Sequence, residues 1–219
     1  MKKTILISAC FALLMSSCAN QFNQVYKSQD YNLKYEYAKQ YFASGKYSRA
    51  ATLLNDLITI KKGSTEAEES LYMLAMCEFE MKDYETAAEY FRKYVSSYPK
   101  GIYAEQAKFF VGESLYMNAP EPRLDQSTTI TAISAFQEYL DARLKNLATS
   151  RLFALQDLLV EKEYKNAKLY YDLGSYFGNC LGEGNNYQAC IVTAQNALKD
   201  YPYSNKREAF ATLIMKGKF

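Results

Sequence analysis

From Tyr31 onward, apolar residues recur at spacings of three and four, the period of a helix that buries one face. Leu53, Leu54, Leu57 and Ile58 form one stripe, and Tyr84, Ala87, Ala88, Phe91 and Tyr94 form another. Leu155, Leu158 and Leu159 form a third within a helical run from Leu152 to Asn166. No stretch reads as a strand. Gly45-Lys46-Tyr47 and Lys82-Asp83-Tyr84 stand as turns between helices, and Tyr98-Pro99 ends the second stripe.

The pattern repeats. A shift of 37 residues aligns Tyr35, Tyr72 and Phe109, then Ala38, Ala75 and Gly112, then Phe42, Phe79 and Tyr116. The second half of the unit matches too, with Tyr47/Tyr84, Ala50/Ala87, Ala51/Ala88 and Leu54/Phe91. At 15% aromatic content an aromatic triple has a chance of about 0.003 per register, so two in one register mark a true repeat. Each unit predicts a helix A followed by a helix B. The third is interrupted by Ala119 to Gln126 and resumes at Ala132, Phe136 and Tyr139. A later unit reappears in Tyr170-Tyr171-Asp172-Leu173-Gly174, followed by Cys190, Ala194, Ala197 and Tyr201-Pro202.

The N-terminus has a different character. Met1-Lys2-Lys3 precedes an apolar run to Met15, then Ser16-Ser17-Cys18 and a polar stretch. This is the order of a signal peptide: charged residues, an apolar segment too short for a stable membrane span, and small residues. The residues before Cys18 resemble the lipobox of bacterial lipoproteins, although Met15 replaces the usual leucine. Ile7-Ser8-Ala9-Cys10 fits the pattern locally with a much shorter apolar stretch, and an ordinary cleaved signal is the alternative. The resemblance implies removal of residues 1–17, acylation of Cys18, and a polar tether over 18–30. Two or more acyl chains give stable membrane anchoring, whereas one does not. Losing Lys2 and Lys3 leaves 24 basic groups against 24 acidic ones, so no basic footprint for nucleic acid remains.

Composition removes several classes of chemistry. Histidine is absent, which excludes Ser-His and Cys-His nucleophile systems and His-ligated metals. Without CxxC, zinc is not expected, and no metal or cofactor is. Cys77 reads as a small core residue. Cys180 and Cys190 bracket a Gly/Asn loop in an exported chain and are a possible disulfide or two thiols. The carboxylates Glu68-Glu69 and Glu161/Glu163 read as solvated faces rather than acid/base pairs. Asp125, before Ser127 and Thr128, reads as a helix cap.

The small residue in helix A, tyrosine at the turn, alanine before a large apolar residue in helix B, and the closing proline resemble the tetratricopeptide (TPR) repeat. Lys34 and Lys108 depart from it where a large apolar residue is usual. The fold expected is all-α, a TPR-like helix-pair solenoid of four to five helix pairs over 31–219. The lipobox, the repeats, Pro120 to Gln126, Leu169-Tyr170-Tyr171 and Ala197 to Pro202 together resemble the outer-membrane β-barrel assembly lipoprotein family, BamD. Two departures are the missing aromatic-proline end around Leu140 to Lys145 and the stop at Phe219.

The resemblance implies a non-enzymatic scaffold, lipid-anchored on the periplasmic face of the outer membrane. Its partners would be the barrel-forming assembly subunit and unfolded outer-membrane proteins. A general TPR lipoprotein organising cell-envelope or division proteins is the alternative. On helix A, at roughly 100° per residue, Tyr35 and Phe42 share a face about 120° from Tyr37, Ala38 and Tyr41. Stacking would align Tyr35, Tyr72 and Phe109 with Phe42, Phe79 and Tyr116 as two aromatic rows. These are candidates for a partner groove, or else they pack between neighbouring helices.

Overall fold

The computed structural model describes residues 21–139, 145–177 and 186–218, which form ten helices and no strand. They are α1 (21–27), α2 (Tyr31–Ala43), α3 (Tyr47–Ile60), α4 (Thr65–Glu80), α5 (Tyr84–Ser97), α6 (Ala104–Met117), α7 (Ser127–Gln137), α8 (Lys145–Phe177), α9 (Asn186–Asp200) and α10 (Arg207–Lys216). The fold class expected from the 37-residue register, all-α with TPR-like helix pairs, is the one observed. Two compact units meet between Ser114 and Leu115.

In the first unit α2/α3 and α4/α5 are the A/B pairs, and α3 also packs on α4. The turns inside the pairs are copies of each other at backbone level. After α2, Gly45 N–H donates to Phe42 O at 3.0 Å and Lys46 N–H to Tyr41 O at 2.8 Å. After α4, Lys82 N–H donates to Phe79 O and Asp83 N–H to Glu78 O, both at 3.0 Å. This is the paired helix end that needs one left-handed residue, and Gly45 (φ 71°) and Lys82 (φ 66°) supply it. In the third unit Ala119 N–H still donates to Tyr116 O at 3.1 Å. Pro120 then occupies the register of Lys46 and Asp83 and has no N–H for the second bond. The turn cannot close, and the inserted segment follows.

The repeat-matched small residues are packing positions: Ala38, Ala75, Ala50 and Ala87 are fully buried. The large partners Leu54/Phe91 and Leu57/Tyr94 are buried beside them, each contributing roughly 1.5–3 kcal/mol by burial. Lys34 takes the buried helix-A position that Leu71 fills in the next unit. Its ammonium pairs with Asp56 at 2.8 Å and lies over the Tyr26 ring at 5.5 Å. Lys108 instead pairs with Glu105 at 2.5 Å along its own helix. The two departures from the repeat pattern therefore have different solutions.

Part of the expected tether is structured. Residues 21–27 are helical, and Val25, 4% exposed, belongs to the core around α2 and α3. Phe22 meets Tyr41 edge-on at 5.8 Å. Phe22, Val25 and Tyr26 stand at helical spacing, an apolar face that the polar residues around them mask.

In the second unit α8 is one helix of 33 residues, about 50 Å long. The sequence reads as a helical run from Leu152 to Asn166 and a later unit reappearing at Tyr170 to Gly174, and the structure joins the two. No proline interrupts the run, and Gly174 is buried against Tyr187, so close approach accounts for the glycine better than a stop does. α8 packs with α7, α9 and α10, and Phe210 meets Tyr164 edge-on at 5.8 Å. No helix of the described residues is long and apolar enough to cross a membrane.

Candidate partner-binding surfaces

The first aromatic row lies largely within the packing. Tyr35 is 8% exposed and Phe109 4%. The Tyr35 hydroxyl donates to the Glu69 carboxylate of the next unit, and the Lys39 ammonium sits 4.5 Å over its ring. Tyr72, half-buried, stacks on Tyr103 at 4.4 Å and meets Phe91 and Tyr94 edge-on at 5.8 and 5.7 Å. Its hydroxyl reaches Gln106 Oε1 at 3.5 Å, a long bond. Both hydroxyls thus point to the residue 34 positions on, a staple that repeats with the fold. Burial first, then Glu69, raises the Tyr35 hydroxyl above its ordinary range. Burial and Tyr103 push Tyr72 up to about 12. On an isolated helix this row faces away from Ala38, but α2 touches α4 as well as α3, and the second contact covers it.

The second row is less covered. Phe42 meets Tyr47 edge-on at 5.8 Å, and its repeat-mate Phe79 meets Tyr84 at 5.4 Å and Phe110 at 5.3 Å. Both are half-buried. Tyr116, in the second unit, lies under the Arg151 guanidinium at 4.3 Å.

Glu68 and Glu69 are neither an acid/base pair nor a solvated face. Glu68 accepts from Tyr94 Oη at 2.6 Å and from Ile102 N–H at 3.1 Å, while Tyr94 Oη accepts from Tyr103 N–H at 3.2 Å. The linker between α5 and α6 is held by these bonds. Gly101 lies so close that a Cβ there would collide with the Glu68 carboxylate and the Tyr94 hydroxyl. Neighbouring helices turn both carboxylates into structural acceptors. Glu161 is also engaged, with Lys206 at 2.8 Å and Lys165 at 3.8 Å.

The second unit carries a cleft that sequence alone did not assemble. The inserted segment is pinned by the buried Gln126, whose Nε2 donates to Glu121 O at 2.9 Å and Leu124 O at 3.1 Å. Thr129 Oγ1 donates to its Oε1 at 2.8 Å. Asp125 accepts from the Ser127 N–H and hydroxyl, which holds its carboxyl below its ordinary value. Gln126, not Asp125 as expected, stands at the N-cap of α7, and Asp125 holds the first residue of the helix from one position further out. Between this segment and α8 lies a cavity of about 450 Å³ lined by Arg123, Lys165, Asn166, Lys168, Leu169 and Asp172. Lys168 pairs with Asp172 at 2.7 Å. Leu169 (55% exposed) lines the cavity and leaves bare apolar surface in it, and Leu124 (59%), next to Arg123 on the inserted segment, is exposed outside the lining. Such a site suits an apolar side chain flanked by carboxylates. Its walls are the two motifs Pro120 to Gln126 and Leu169-Tyr170-Tyr171, and that coincidence was the available signal.

The remaining candidates are quickly placed. Cys18 and Cys180 lie outside the described residues. Cys190 is buried in α9, and Cys77 is buried in α4 with its thiol pushed up to about 12 by burial. Among the described residues no cluster of His, Cys, Asp or Glu could hold a metal ion.

A family model described as outer membrane lipoprotein, YfiO, matches residues 27–217. No curated protein matches the chain. Among solved structures, a crystal structure of nearly identical TPR-like repeats from a Podosopora anserina kinesin light chain is 14% identical. The match covers 84% of this chain and 91% of that one, with a TM-score of 0.39.

Proposed function

The chain belongs to the YfiO family of outer membrane lipoproteins, and we propose that it is a non-enzymatic scaffold of the outer-membrane β-barrel assembly machinery. It is held on the periplasmic face by acyl chains on Cys18. It binds the barrel-forming subunit and receives unfolded outer-membrane proteins. What supports the subunit contact is the cleft between the inserted segment and α8. Three cationic side chains, one carboxylate and the bare Leu169 there fit a folded partner that presents an apolar residue among acidic ones. Phe42 and Phe79, the half-buried members of the second row in the first unit, are left to meet precursor segments. Depletion of the chain tests this function. Folded barrel proteins should fall in the outer membrane while soluble periplasmic proteins keep their levels. Unchanged barrels alongside altered cell-wall or division enzymes would favour the general TPR organiser instead.

A further inference from the structure

The docking of α1 fixes which end of the first unit lies against the membrane. α1 runs antiparallel to α2. Gln21 Nε2 donates to Tyr37 Oη at 2.9 Å, and the Arg49 guanidinium lies 5.6 Å from the Phe22 ring, which also meets Tyr41. At the other end of α1, Tyr26 lies under the Lys34 ammonium at 5.5 Å. Residue 21 is thus held near the turn between α2 and α3. Cys18 is three residues away and can extend no more than about 11 Å from it. The far end of α2 is its 13-residue length away, about 20 Å from the turn, and α4 is longer.

We infer that the A–B turn end of the first unit, carrying Gly45, Lys46, Met81 and Lys82, sits against the lipid headgroups. The opposite end, around Lys62, Lys100 and Ile102, faces away from the bilayer. This inference rests on the acylation of Cys18 proposed above. Lys46, Met81 and Lys82 are exposed, and each turn carries a lysine at this end of the unit, Lys46 in the register of Asp83 and Lys82 in that of Gly45. Glu80, Asp83 and Glu85 are exposed close by, so the placement follows from the short anchor rather than from net charge. One consequence concerns a second cleft of about 400 Å³ at the opposite end, lined by Ile58, Lys62, Ala67, Leu71 and Tyr98 among others. It is open to the periplasm.

The test uses the full acylated protein in vesicles of phosphatidylethanolamine and phosphatidylglycerol containing a nickel-chelating lipid. Cys180 is replaced by serine, and single nitroxide labels are placed on cysteines at Lys46, Lys82, Lys62 or Lys100. The expected result is several-fold stronger relaxation by headgroup nickel at Lys46 and Lys82 than at Lys62 and Lys100. The Val25→Asp variant, which frees α1 and lengthens the anchor, should erase the difference while retaining the acyl chains. Intact mass of each protein reports acylation independently. Equal or reversed relaxation in acylated protein would overturn the orientation alone. An unmodified Cys18 would overturn the anchor and the orientation with it.

Discussion

Replacing Tyr35 and Tyr72 together by serine separates a packed aromatic row from an open one. Tyr35 is almost wholly covered, and loss of a buried aromatic ring costs about 3–5 kcal/mol. Tyr72 is half-buried against three rings, so roughly half that cost applies, about 2 kcal/mol. A combined loss of about 5–7 kcal/mol is comparable to the whole stability of an ordinary domain. The Tyr35→Phe, Tyr72→Phe variant keeps both rings and removes only the hydroxyl staple, at a cost of about 1–3 kcal/mol. Urea unfolding, read by hydrogen exchange of amides in α2 to α5, measures the first unit without averaging over the second. The serine variant should lose protection there throughout, and the phenylalanine variant should keep a cooperative transition at lower urea. A serine variant that unfolds at the wild-type urea concentration would refute the packing account and restore the rows as an open surface.

Further predictions follow the same geometry. Because burial raises the Tyr72 hydroxyl from 10.0 to about 12, its neutral form stabilises the fold fully below pH 10. That contribution fades as the pH rises toward 12. The fading should be smaller in Tyr72→Phe, as pH-dependent urea midpoints would show. Lys82→Gly should raise stability by about 0.5–1 kcal/mol, since Lys82 bears the left-handed strain that Gly45 avoids. Gly45→Ala should lower it by about 1 kcal/mol, and thermal melts of both variants check the pair. Gln126→Ala strips the donor from two loop carbonyls and should cost about 1–3 kcal/mol, with exchange accelerated in residues 119–129 but not in α2 to α5.

The repeat was legible because identical turns impose identical sequence. Tyr47 and Tyr84, Ala38 and Ala75, and Phe42 and Phe79 each fall 37 apart and each pair occupies one environment. The bond from Ser127 to Asp125 was legible because the two are near neighbours, although the N-cap itself is Gln126. Features that depend on a third element were not. The covering of Tyr35 needs α4, the engagement of Glu68 needs Tyr94 and Ile102, and the cleft needs a loop and a helix about 40 residues apart. The docked α1 was obscured because Phe22, Val25 and Tyr26 are diluted by amides and asparagines. The continuity of α8 was obscured because Tyr170 to Gly174 reads as the start of a new repeat unit, whereas Gly174 packs closely on Tyr187 within the same helix.

The central claim is that the α8 cleft holds the barrel-forming subunit of the assembly machinery. A photo-crosslinking amino acid at Leu169, activated in native outer membranes, tests it most directly when the adduct is identified by mass spectrometry. The account predicts one dominant adduct, with the barrel-forming subunit, which disappears when Arg123→Glu and Lys168→Glu reverse the charge of the cleft. Adducts only with cell-wall or division proteins, or a barrel-subunit adduct indifferent to both charge reversals, would contradict it.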